Sequence, residues 1–129
     1  MRILFICRGN VARSQEAAAY YNQLAGTDVA VSAGIEAVVG KPIHPLVIQV
    51  MAEDGIDMAS AFRKPLLALP IAAADHIVSF VPLTELPDSA QAKAVYWDVV
   101  DPRGTDLQNH RHTRDVVKHL VEEFYAHHR

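Results

Sequence analysis

The amino-acid sequence predicts an α/β fold in one domain spanning residues 1–129: a four-stranded parallel sheet with helices on both faces. Short apolar runs rich in β-forming residues alternate with longer segments of helical periodicity. That is the pattern of parallel strands joined by crossover helices. No internal repeat, low-complexity tract or linker divides the chain, and 129 residues suit a domain of ordinary size. Half of the residues are hydrophobic and 21% are charged, so the chain can bury a real core.

The elements follow in order. Arg2 to Ile6 is a short buried strand. Cys7 to Arg13 forms a loop with Gly9 and Asn10 as its turn residues. A helix then runs from Ser14, as cap, to Ala25, with Gly26 as its stop. Val29 to Ser32 is the second strand, closed by Ala33 and Gly34. After a loop holding Gly40 and Pro42, a helix covers Pro45 to Asp54 with Leu46, Val47, Val50 and Met51 on its apolar face, and Gly55 ends it. Residues 56–65 read as irregular. Residues 66–74 are apolar, but Pro70 restricts any helix there to a start near itself or a break. His76 to Phe80 is the third strand, 82–92 a loop or short helix, and Ala94 to Trp97 the fourth strand. A loop over 99–104 leads to a final helix from Thr105 to about His127, its apolar face made by Val116, Val117, Leu120, Val121 and Phe124.

Bulk properties narrow the function. A net charge of −3 argues against a nucleic-acid binder. No apolar run has the length of a membrane span. The apolar opening, Met1 to Ile6, is too short for a signal peptide and reads as the first strand. A single cysteine excludes an internal disulfide and fits a reducing, cytoplasmic compartment.

The first loop carries the chemistry. Cys7-Arg8-Gly9-Asn10-Val11-Ala12-Arg13-Ser14 lies between a strand and a helix. A helix N-terminus offers unpaired N–H groups and a partial positive charge to an anion. Five residues between Cys7 and Arg13 can curl so that their backbone N–H groups point inward as an anion nest. Arg13 can offer two parallel donors to two oxygens of a tetrahedral oxyanion. Cys7 is the candidate nucleophile, since a helix N-terminus beside a cation favours the attacking thiolate. Ser14 is expected to hydrogen-bond that sulfur, and Asn10 to brace the loop in a left-handed conformation with Ser32 behind it. Asp101, in the loop after the fourth strand, is the candidate acid for a leaving oxygen, with Asp98 as its rival. His110 with His112, and His127 with His128, lack a cysteine or carboxylate set at ligand spacing and read as solvated helix-face or tail residues, so neither metal nor cofactor is expected. His44 reads as a helix-start residue, and Tyr20 and Tyr21 as helix packing.

The loop resembles the phosphate loop of the low-molecular-weight protein tyrosine phosphatases and their relatives, the single-domain arsenate reductases. Ser32-Ala33-Gly34-Ile35-Glu36, Gly55-Ile56-Asp57 and Asp101-Pro102 resemble further landmarks in the same order, over nearly the whole chain. The resemblance implies a flavodoxin-like strand order. It also implies Cys7, Arg13 and Asp101 as catalytic residues, with Arg8, Gly9, Asn10, Val11, Ala12, Arg13 and Ser14 binding the oxyanion. It leaves three functions: a phosphatase that hydrolyses phosphomonoesters of phosphotyrosine type through a phosphocysteine, an arsenate reductase served by an external thiol, and a non-catalytic oxyanion-binding regulatory protein. An internal thiol relay needs two further cysteines; Val81 stands near the first such place and none follows Cys7, while Ala12 removes a second loop cysteine found in many relatives. Arg13-Ser14-Gln15 and Ser32 to Glu36 lean toward the reductases, and Arg103 and Gly104 stand where many phosphatases carry tyrosines. The implied partners are a phosphorylated protein or small phosphate ester, or else arsenate with a glutaredoxin or small-thiol reductant; no nucleic acid and no membrane is expected.

Overall fold

The computed structural model describes residues 1–129. Four strands, β1 (Ile3–Cys7), β2 (Ala30–Gly34), β3 (His76–Ser79) and β4 (Ala94–Tyr96), form one parallel sheet in the order β2-β1-β3-β4. The central strand β1 is buried on both faces, which is why it reads as an unbroken apolar run. Its side chains alternate. Ile3, Phe5 and Cys7 enter the larger core with helices α1 (Arg13–Ala25), α2 (Pro45–Glu53) and α5 (Leu107–His128). Leu4 and Ile6 enter the smaller core with α3 (Ala68–Ala73) and the one-turn α4 (Asp88–Gln91). The expected order and two-faced layering are both present.

Several boundaries differ from the sequence reading for local reasons. Strand β1 runs through Cys7 because Cys7 still pairs with Gly34 of β2. Helix α1 begins at Arg13, and its N-cap position is Ala12, with no side chain capping it. Ser14 is therefore not a cap. Gly26 ends α1 as expected, at φ 73°, with its N–H bonded to Asn22 O. Pro70 sits in the first turn of α3, where a missing N–H costs nothing, so the helix runs through it. Helix α2 starts at Pro45 with the His44 Nδ1 accepting from the Leu46 N–H at 3.0 Å. Helix α5 starts at Leu107, not Thr105, because the Asp106 carboxylate accepts from the Asn109 N–H at 2.9 Å.

The free edge of β2 is covered at both ends. The Asn22 side chain bonds Val29 N, Ala30 N and Ala30 O, and Gly34 exchanges backbone bonds with Lys64 O and Leu66 N. The segment 56–65 thus has no regular element but bridges back to Gly34 and Pro42. Tyr20 and Tyr21 pack into the core, and Tyr20 donates to Asp54 Oδ2 at 2.6 Å. No helix is long and apolar enough to cross a membrane.

Helix α1 also buries Glu16 completely, with neither carboxylate oxygen hydrogen-bonded. Burial pushes its pKa up to about 8, against the opposing pull of the Arg114 and Arg13 charges. Between its ordinary value of 4.5 and about 8 the folded protein therefore holds more protons at this site than the unfolded chain, so stability at this site falls as pH rises through that window. Glu16→Gln keeps the shape and removes the titration. Its urea midpoint is expected to decline less than that of the parent protein between about pH 5 and pH 8. Equal declines would show that Glu16 is not the group responsible.

Candidate active site

The end of β1 delivers the Cys7 thiol to the mouth of the loop, and the loop folds back onto it. The Asn10 N–H points at Cys7 Sγ from 3.3 Å, and Ser14 Oγ lies 2.9 Å from the same sulfur. Asn10 Nδ2 donates to Ser14 Oγ at 2.8 Å. An amide nitrogen can only donate, so the Ser14 hydroxyl accepts there and keeps its own proton for the sulfur. Two donors thus converge on Sγ, the environment an anionic sulfur accepts.

Asn10 holds the curl. It takes φ 55° as expected and is fully buried. Its Oδ1 accepts from Gln15 Nε2 at 2.9 Å and from the Lys64 N–H at 2.8 Å. Gln15 Nε2 reaches Phe62 O at 2.9 Å as well, tying the loop to segment 62–64. The expected brace from Ser32 is corrected: Ser32 pairs with Phe5, below the Cys7–Gly34 rung, and Gln15 and Lys64 occupy the amide instead. Gly34 is required for space. A methyl group built there would stand 2.8 Å from Arg8 O and from Asn10 N. A glycine at a strand end is a readable signal of close backbone approach, whereas the bracing N–H of Lys64 has none.

Arg13 is buried and oriented by the sheet. Its Nη1 donates to Phe80 O at 3.1 Å and Val99 O at 2.8 Å, carbonyls just beyond β3 and β4. Its Nη2 faces Asp101 Oδ2 at 3.7 Å. The same carboxylate oxygen is 3.6 Å from Arg103 Nη2, and Asp101 Oδ1 accepts from the Arg103 N–H at 3.0 Å. Asp98 is exposed and meets only the Tyr96 hydroxyl, at 3.3 Å. The loops after β1 and β4 therefore bring Cys7, Arg13 and Asp101 to one end of the sheet, and Asp98 stays outside.

The rest of the loop divides by role. The Arg8 guanidinium is held by Glu85 at 2.9 Å and Glu36 at 3.5 Å. Val11 and Ala12 are buried and line the curl. Gly9 lies under Arg103. His110 is a correction: it is buried with neither ring nitrogen bonded, 5.0 Å from the His44 ring, and burial lowers its pKa below the ordinary 6.5. His112 is exposed, and His127 and His128 fold back onto the carbonyls of Glu123 and Phe124. No three His, Cys, Asp or Glu side chains gather as a metal site. A surface groove of about 580 Å³ runs along β2 past Val31, Leu67 and Leu69, and contains neither Cys7, Arg13 nor Asp101.

A family model described as low molecular weight phosphotyrosine protein phosphatase matches residues 2–128. The chain is 30% identical to the glutaredoxin arsenate reductase of Synechocystis over 97% of its own length and 96% of that protein. It is 26% identical to a low molecular weight protein tyrosine phosphatase from T. tengcongensis (TM-score 0.85, covering 96% of this chain and 97% of that one). It is 27% identical to an arginine phosphatase from Geobacillus stearothermophilus (TM-score 0.84, 97% and 90%).

Asn10→Ala removes the amide that three partners share. Orphaning those buried groups is expected to cost about 1–3 kcal/mol of stability. Affinity for inorganic phosphate, as a tetrahedral probe, should fall about 10-fold or more as the cradle loses its shape. Urea unfolding and calorimetric titration read the two effects; unchanged phosphate affinity would show that the curl does not depend on Asn10.

Proposed function

The chain belongs to the low molecular weight phosphotyrosine protein phosphatase family, and on that premise we propose that it is a cysteine-dependent phosphatase hydrolysing phosphomonoesters of phosphotyrosine type. The observation that carries this reading is the convergence on one sheet end of a sulfur met by two donors, a buried guanidinium and a carboxylate.

The Cys7 thiolate attacks phosphorus while the phosphoryl oxygens lie in the nest of residues 8–14. Arg13, its Nη1 fixed on two carbonyls, presents the rest of its planar fork to two oxygens and strengthens that contact as charge develops. The ester P–O bond breaks, and the leaving oxygen takes the Asp101 proton. The Asp101 carboxylate then accepts a proton from water, the water oxygen attacks phosphorus, and the S–P bond breaks. Ser14 donates to the sulfur as it leaves, and inorganic phosphate is released. No cofactor enters any step. A phosphorylated protein or a small phosphate ester is the partner, and the lone thiol suits a reducing, cytoplasmic compartment.

A second reading rests on a different observation, the 30% identity to a glutaredoxin arsenate reductase across 97% of the chain. With one cysteine in the sequence, reduction of arsenate at Cys7 would need thiols supplied from outside, a glutaredoxin or a small thiol. Hydrolysis needs only water, and for that reason we place it first.

The test is a leaving-group series of aryl phosphates with the parent protein and Asp101→Asn, beside an arsenate assay with glutaredoxin. A phosphatase should lose about 10²–10⁴-fold in turnover of poor leaving groups in the variant, and far less with good ones. Equal losses across the series would remove Asp101 as the acid. Slow aryl phosphate turnover beside rapid thiol-dependent arsenate reduction would put the second reading first.

A further inference from the structure

We propose that Arg103 is a specificity-determining residue of this site, and that its guanidinium receives a second anionic group carried by the substrate next to the phosphate. The inference rests on the phosphatase reading for what the phosphate does; the contact itself is a matter of binding.

Three observations lead to it. The first is position. A methyl group built on Gly9 would stand 2.8 Å from Arg103 Nη2, so the guanidinium lies on the bare backbone of the anion loop, beside Asp101. The side chain is 54% exposed and therefore reachable from solvent. The second is its uncommitted charge. Arg103 meets only Asp101, monodentately and at 3.6 Å, beyond hydrogen-bond length. Two other arginines of the site are occupied: Arg8 is held by both oxygens of Glu85 and by Glu36, and Arg13 is anchored on Phe80 O and Val99 O. The third is what the loop lacks. Residues 98–106 contribute no aromatic side chain, so nothing in the loop facing the nest offers a ring on which a phenyl group could stack.

A planar, half-exposed guanidinium with free donors, at the rim of an oxyanion cradle, matches a carboxylate or second phosphate on the leaving group. It can hold such a group bidentately, while an uncharged ring gains little from it. Gly9 makes the arrangement possible, since any side chain there would push the guanidinium off the loop.

The test compares two phosphonates that the protein cannot hydrolyse, methylphosphonate and phosphonoacetate, by calorimetric titration of the parent protein, Arg103→Gln and Arg103→Glu. The parent is expected to prefer phosphonoacetate by about 10-fold, the value of a charge-assisted contact. The preference should shrink to about 2-fold or less in Arg103→Gln and reverse in Arg103→Glu. The ratio of the two affinities is the readout because losing Arg103 also changes the contacts of Asp101, and that effect is common to both ligands. In parallel, kcat/KM for phenyl phosphate and carboxyphenyl phosphate should show the same loss of ratio, mostly in KM. No preference in the parent, or one that survives in Arg103→Gln, would overturn the proposal, and so would failure to bind either phosphonate. A binding preference that depends on Arg103 without turnover of any phosphomonoester would uphold it and sink the phosphatase reading; brisk aryl phosphate turnover with no preference would do the reverse.

Discussion

The site depends on one buried amide. Asn10 sits in a left-handed conformation, where an uncapped helix and a strand end meet, and its side chain bonds Ser14, Gln15 and the distant backbone of Lys64. Each such bond contributes only about 1 kcal/mol net. Together they turn five residues into a curl that points a backbone N–H and a hydroxyl at Cys7 Sγ. Without that curl the sulfur would be a small buried residue at a strand end, and the N-terminus of α1 would be an ordinary one that water could satisfy.

The parallel sheet does the remaining assembly. Because all four strands run the same way, their carboxyl ends share one edge, and the groups that matter lie on it or just past it: Cys7 at the end of β1, Phe80 O after β3, Val99 O and Asp101 after β4. Arg13 is held by two of these strand ends at once, so its direction is a property of the sheet more than of the helix that carries it. The same economy of position explains Gly34, whose missing side chain lets the loop after β1 lie against β2. Behind the site, helices α1 and α5 enclose polar groups that pair imperfectly. Glu16 and His110 are both buried without hydrogen bonds, and Arg114 is spread over Glu53, Asp115 and Val50 O. This interior costs stability, and nothing in the proposed chemistry uses Glu16 or His110.

The fold was legible because its signals are local and periodic. The apolar runs of β1 and β3, the Gly26 stop and the apolar face of α5 read directly, and the strand order followed once the loop motif had named its family. The chemistry was legible for a related reason: Cys7, Arg13 and Ser14 lie within eight residues of one another, so spacing alone brings them together. What could not be read is long-range or carried by backbone. Lys64 braces Asn10 through its N–H, Phe80 and Val99 orient Arg13 through carbonyls, and no side-chain identity encodes such contacts. Ser14 looked like a cap because serine before a helix usually is one; here its hydroxyl is taken by the sulfur and by Asn10. His110 reads as solvated for want of a cysteine or carboxylate set at ligand spacing, yet α5 turns it inward toward His44.

The central claim is that Cys7 becomes the covalent carrier of the phosphoryl group. Rapid acid quench during turnover of an aryl phosphate, followed by peptide mass spectrometry and phosphorus NMR, tests it directly. The account predicts a phosphothioester on the peptide containing Cys7, more abundant in Asp101→Asn, where hydrolysis is slowed, and absent from Cys7→Ser. Turnover with no phosphorylated Cys7 at any quench time, or undiminished turnover in Cys7→Ser, would contradict it.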